Sequence, residues 1–130
     1  MEHVRGIGGV FFKARDPGAL AAWYARVLGV PVEAWGGAFF AWSGLDARGG
    51  AGTVWSPFAA DSNYFAPSEK PFMLNFVVGN LDVMLAQARA AGATVDDKVS
   101  TLENGRFGWL MDPEGNRIEL WEPSETAPAV

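Results

Sequence analysis

Few side chains in this sequence are of types that do chemistry, and Glu119 comes first among them. It lies in the run Asn116–Trp121, where strand alternation puts Ile118 and Leu120 on one face and Glu119 and Trp121 on the other. A carboxylate on an apolar, aromatic face can accept a proton or hold a cationic ligand. The plainer alternative is an ion pair with Arg106 or Arg117. Asn75 and Thr53 could orient a ligand by hydrogen bonds, or equally bond water or backbone. Met73 shares the face of Asn75. Trp55, Trp109 and Trp121 each carry a large plane and one N–H donor, which suits stacking on a planar molecule. Sheet packing or a subunit contact would use them as well. Glu119 is thus the candidate catalytic group, and Thr53, Trp55, Met73, Asn75, Trp109, Glu119 and Trp121 form the candidate ligand-binding set.

Composition narrows the partners. The 130 residues carry 10 Lys and Arg against 15 Asp and Glu, a formal net charge of −5, with no basic cluster for a phosphate backbone. Nucleic acid is not an expected partner. The absence of cysteine removes disulfides, thiolate nucleophiles and thiolate metal sites. No segment reaches the roughly 20 apolar residues that span a bilayer, so no membrane association is expected. The opening Met1-Glu2-His3-Val4-Arg5 leads into only a short apolar run before Lys13, which predicts no cleaved leader and a cytoplasmic protein. The 17 aromatic residues (6 Trp, 2 Tyr, 9 Phe) give it much apolar surface to bury.

Two helices position these groups. Asp16-Pro17 opens the first, with Asp16 as cap and Pro17 where its missing donor costs nothing. Leu20, Trp23, Tyr24, Val27 and Leu28 then form one apolar stripe, which places Trp23 in the core. Gly29 and Pro31 stop the helix. The second runs from a cap at Asn80 through Leu81, Met84, Leu85 and Ala88 to Gly92. Strand-like runs lie at Ile7–Ala14, Val32–Trp35, Ala38–Trp42, Gly52–Pro57, Phe72–Val78, Thr94–Val95, Arg106–Met111 and Asn116–Trp121. Asp112-Pro113-Glu114-Gly115 fits a type I turn joining the last two. Gly44–Ala51 reads as a hairpin loop and Ala59–Pro71 as a longer one, where Tyr64 and Phe65 are exposed unless they fold over something. Gly6-Ile7-Gly8-Gly9 lacks the helix and Lys-Ser/Thr of a phosphate loop, and reads as close backbone approach in a strand.

The order strand, helix, three strands occurs twice. Phe12 and Asp16 correspond to Phe76 and Asn80 at an offset of 64, Gly29 to Gly92 at 63, and Thr53-Val54-Trp55-Ser56-Pro57 to Glu119-Leu120-Trp121-Glu122-Pro123 at 66. The chain therefore reads as a duplicated unit of about 65 residues, half its length. The expected fold class is α+β: two tandem βαβββ modules in one domain over residues 1–123. Module one covers about 5–58, module two about 71–123, and 124–130 forms a frayed tail. Leu74, Phe76 and Val78 are assigned to the helix side of their strand, with Met73, Asn75 and Val77 opposite. Val54 is likewise assigned to the helix side, and Thr53 and Trp55 to the other. The faces without helices would together enclose a cleft.

The helix Asp16-Pro17…Trp23-Tyr24…Val27-Leu28-Gly29 and the segment Asp112-Pro113-Glu114-Gly115-Asn116-Arg117-Ile118-Glu119-Leu120 resemble the vicinal oxygen chelate superfamily of glyoxalases, extradiol dioxygenases, epimerases and bleomycin-resistance proteins. The resemblance covers nearly the whole chain. It implies a U-shaped mixed sheet with outer helices, a homodimer, and in the enzymes a divalent metal held from the first and last strand of each module. Carried over, those four positions are Gly9, Thr53, Met73 and Glu119, of which only Glu119 suits such an ion. His3 falls outside the pattern, and Asp46, Asp61 and Glu69 lie in loops. The resulting expectation is a binding protein, without metal or other cofactor, for a small apolar or aromatic molecule, similar to the drug-sequestering members. The alternatives are a lyase, isomerase or dioxygenase whose divalent metal uses other ligands, and a metal-free enzyme with Glu119 as base. For the last, no electrophile is visible in the sequence.

Overall fold

The computed structural model describes residues 1–43 and 50–124. The chain runs β1 (Val4–Ala14), α1 (Pro17–Leu28), β2 (Ala38–Ala41), β3 (Gly52–Ala59), β4 (Phe72–Val78), α2 (Leu81–Ala90), β5 (Thr94–Leu102), β6 (Gly105–Met111) and β7 (Arg117–Pro123). The strands form one open mixed sheet in the order β2-β3-β1-β4-β7-β6-β5. β1 and β4 pair antiparallel at its centre, and each pairs parallel with the last strand of its own half, β3 or β7. That gives the α+β class read from the sequence, with two helices on one face.

Both helix starts are built as their sequences dictate. Asp16 accepts from the Ala19 amide and Asn80 from the Val83 amide, each at 3.0 Å. Gly29 closes α1 in the left-handed conformation at φ 70°. α2 lays Leu81 and Leu85 on Val78 and Leu120, with Phe76, Leu110 and Ile118 around them. α1 meets the sheet differently: Ala21 is buried, and Tyr24 packs on Trp55 with ring centroids 4.8 Å apart.

Three expectations are corrected here. Trp23 is not core but 43% exposed, and Val27 and Leu28 on the same outer side are exposed as well. The stripe is wide, and small Ala21 lets the helix seat on its Tyr24 edge, turning Trp23 away. Val32–Trp35 is not a strand, because the Gly36 amide bonds back to the Glu33 carbonyl at 2.9 Å, with Gly36 at φ 101° closing a tight turn. Among its described residues the first half therefore shows β1, α1, β2 and β3, one strand fewer than expected. β5 extends well beyond Thr94–Val95 because its polar Asp96-Asp97-Lys98 stretch belongs to a sheet edge, with a register irregularity between Val95 and Val99. Of the expected loop Gly44–Ala51, residues 44–49 lie outside the described residues, as does most of the expected tail. Among the described residues no helix is long and apolar enough to cross a membrane.

The asymmetry between the two helices can be measured. Leu81→Ala should lower stability by about 2–5 kcal/mol in urea unfolding. Trp23→Ala should cost less than about 1 kcal/mol. Equal losses would contradict this seating of α1.

Candidate functional site

The side chains of the helix-free face line up across the sheet. Val54 pairs with Gly9, Gly9 with Asn75, Asn75 with Glu119, and Glu119 with Trp109. Five strands thus present one row, with Glu119 between Asn75 and Trp109. Its Oε1 accepts from Asn75 Nδ2 at 2.8 Å, and its Oε2 from Trp109 Nε1 at 2.9 Å. A third donor arrives from the loop after β3, where the Tyr64 hydroxyl reaches Oε2 at 2.5 Å. Glu119 is only 3% exposed. Three neutral donors replace the water it has lost.

The loop is anchored as well as bonded. Phe65 is fully buried among Phe11, Met73 and Trp109, with Val54, Phe58 and Phe107 beside them. The Tyr64 ring stacks on Phe58 at 5.6 Å. Arg117 donates to the Tyr64 carbonyl, and its guanidinium lies 5.0 Å from the centre of the Trp109 ring. Burial, then the charge of Glu119 and the bond donated to it, push the Tyr64 phenol well above its ordinary range, and Arg117 opposes this only in part.

Glycines make room for the row. A Cβ on Gly8 would collide with Oδ1 of Asn75, and one on Gly9 would lie 2.7 Å from the Phe11 ring. The close-approach reading of these glycines is thereby given a physical cause. Oδ1 of Asn75 is left without a hydrogen-bond partner among the described residues, although Asn75 is 2% exposed.

Of the sequence-derived set, Asn75, Trp109 and Glu119 come together in direct hydrogen bonds, and Met73 is packed in the same face. Trp121 lies on this face too, stacked on Phe107 at 6.1 Å, but its indole N–H is taken by the Asn104 carbonyl at 2.9 Å. Two members are corrected. Trp55 faces the helices, against Tyr24 and Phe12, because the register sets Val54 opposite Gly9 on the other face. Thr53 is a neighbour of that row and not part of it: its hydroxyl donates to the Ile7 carbonyl at 2.6 Å and accepts from Trp42 at 3.0 Å. The counterpart of Glu119 is therefore Val54, 65 residues before it. Neither expected arginine pairs with Glu119, since Arg106 binds Asp82 through two bonds of 2.9 and 3.0 Å. Sequence reading missed Tyr64 as a donor to Glu119. It also missed Lys98, which lies beyond the expected strand Thr94–Val95 in a stretch given no element.

A cavity of about 390 Å³ opens beside this constellation, lined by Asn63, Tyr64, Ala66, Lys98, Ser100, Leu102, Phe107, Trp109 and Arg117. The metal implied by the resemblance can be tested against the donors in the row. They are an aliphatic side chain, a glycine, a neutral amide and one carboxylate that already accepts three hydrogen bonds. His3, Asp61 and Glu69 are exposed, and Asp46 lies outside the described residues. No group of three or more His, Cys, Asp or Glu that could hold an ion occurs among the described residues. These residues do not fit a divalent cation.

The raised phenol of Tyr64 fixes the sign of a pH effect. Its contribution to stability is complete below the unfolded-state value of about 10 and is lost as pH rises beyond that toward the folded value. Tyrosinate absorbance should show one of the two tyrosines ionising only as the protein opens, and Tyr64→Phe should remove that part of the alkaline loss. Two ordinary phenol titrations in the folded protein would contradict the bond to Glu119.

Comparison with known proteins agrees with this architecture. A family model described as a glyoxalase-like domain matches residues 9–121. Among solved structures, a methylmalonyl-CoA epimerase in complex with methylmalonyl-CoA and ammonium is similar with TM-score 0.67 and 16% identity, covering 98% of this chain and 100% of that one. The methylmalonyl-CoA epimerase of Mycobacterium tuberculosis gives TM-score 0.64 at 20% identity, over 93% and 89% of the two chains. The Mn(II)-bound glyoxalase of Novosphingobium aromaticivorans gives 0.59 at 19%, over all of this chain and 42% of that one. No curated protein matches the sequence significantly. At these identities the structures establish the fold alone, and the family match establishes the rest: the chain belongs to the glyoxalase-like domain family of the vicinal oxygen chelate superfamily.

Proposed function

We propose that this glyoxalase-like protein binds a small, planar, largely apolar molecule on the helix-free face of its sheet, without a catalytic metal. The observation that carries the reading is the cavity of about 390 Å³ beside Tyr64, Phe107 and Trp109. That volume is in the range of small-molecule sites, about 300–1,000 Å³. Tyr64, Phe107 and Trp109 offer flat surface in its walls, and Asn63, Lys98, Ser100 and Arg117 add polar groups beside them. Glu119 stands behind Trp109 as a positioning group: by holding the indole N–H and the Tyr64 hydroxyl, it fixes two of the walls.

Catalysis by Glu119 as a base fits less well. Both oxygens already accept hydrogen bonds, so a substrate would have to displace Tyr64 before reaching the carboxylate. Metal chemistry lacks a fitting donor set, and no step is assigned to it.

Titration of the protein with a library of small aromatic compounds should quench tryptophan fluorescence saturably for some members. Trp109→Phe should weaken their binding by about tenfold or more, as expected for loss of a stacking surface and an anchoring N–H. An unresponsive library, or binding unchanged in Trp109→Phe, would contradict the assignment of the cavity. Tyr64→Phe should cost about 1–2 kcal/mol of stability through the lost bond to the carboxylate, with faster hydrogen exchange over residues 60–71. Unchanged exchange there would show that the bond to Glu119 does not hold the loop.

A further inference from the structure

We propose that the molecule taken up in this cavity is an anion, a planar aromatic carboxylate with its charged end between Lys98 and Arg117; the inference rests on the binding reading above. The argument is one of charge placement. The chain as a whole is acidic, with a formal net charge of −5. Yet both ionisable side chains other than Tyr64 in the cavity wall are cations, and no carboxylate lines it.

Lys98, Ser100 and Leu102 alternate along β5 on the face of Phe107, because Ser100 pairs with Phe107. Arg117 alternates on β7 with Glu119 and Trp121 and so joins the same face. Lys98 Nζ lies 5.8 Å and Arg117 Cζ 5.0 Å from the centre of the Trp109 ring. Two like charges are therefore gathered around one indole. Lys98 makes no side-chain hydrogen bond or ion pair with any described residue. Arg117 has a long contact of 3.8 Å to Asp96, and its side chain is 12% exposed.

The opposing charges are accounted for. Glu119 is shut behind Trp109 and Tyr64, the two of its three donors that line the cavity. The Asp96 carboxylate accepts from the Lys98 backbone amide at 2.9 Å and lies 3.8 Å from Arg117, and it lines not this cavity but a smaller one of about 190 Å³ that shares Trp109 and Arg117. Bringing two cations together on an aromatic surface costs energy that a bound carboxylate offsets with charge-assisted hydrogen bonds. Arg117 also ties the Tyr64 carbonyl, so a ligand that engages it would steady the loop forming the opposite wall. Ser100, also in the cavity wall, adds a hydroxyl.

Calorimetric titration with naphthoate, naphthamide and naphthylmethylamine, which share one ring system and differ in charge, tests the proposal. Naphthoate should bind about tenfold or more tightly than the amide, as a charged hydrogen bond predicts, and the amine should bind least. Added salt should weaken naphthoate selectively. Lys98→Met should weaken naphthoate several-fold more than naphthamide and so narrow the preference, with Arg117 sustaining the remainder. Arg117→Lys, which keeps the charge, should retain part of the preference. Equal binding of all three probes, or a preference unaltered in Lys98→Met, would overturn the anion assignment and leave the aromatic site standing. Failure of every probe to bind would overturn both.

Discussion

A carboxylate shut inside an aromatic sheet face has to be answered by donors, and that requirement organises the centre of this molecule. Leaving a buried charge unanswered would cost several kcal/mol. β4 answers with Asn75 and β6 with Trp109, each in register with Glu119. The loop after β3 answers with Tyr64, which crosses from the other half of the chain. One residue thereby couples two strands of the second half to a loop of the first, and the fit depends on glycines at positions 8 and 9 that let β1 pass beneath.

The same arrangement separates this protein from a metal-dependent relative with the same sheet. In register with Glu119 stand an amide, a glycine and a valine, where a divalent ion would need imidazole or carboxylate groups. The volume of the helix-free face is given over to rings instead: Phe11, Phe65 and Phe107 with Trp109 and Trp121. Phe65 fills the middle, and open space remains toward the β5–β6 flank, where Lys98 and Arg117 stand. Fold and chemistry are thus decoupled: the scaffold is shared, and the side chains of one face determine what it can hold.

Much of this was readable from the residues. The caps Asp16 and Asn80, the stop at Gly29 and the alternation in Phe72–Val78 and Arg117–Leu120 are local signals, and each corresponds to an observed contact. Thr53-Val54-Trp55 carries no such alternation, since all three residues suit either face. An alignment of the two halves one residue out then turned the strand over and brought forward Thr53 and Trp55 in place of Val54. A wide apolar stripe on α1 did not reveal that it seats by its Tyr24 edge. The Tyr64–Glu119 bond joins residues 55 apart through a loop without periodicity, so only tertiary packing could show it. Lys98 was hidden for a related reason, because the charged Asp96-Asp97-Lys98 stretch of an edge strand lacks the apolar alternation that marks a strand.

The central claim is that Glu119 is held by the protein's own donors and not by an ion. The most direct check is elemental analysis of the wild-type protein and Glu119→Gln after incubation with zinc, nickel, manganese and iron salts and removal of loosely bound ions. The account predicts metal far below one ion per chain in both proteins. A stoichiometric divalent ion in the wild type that is lost from Glu119→Gln would contradict it.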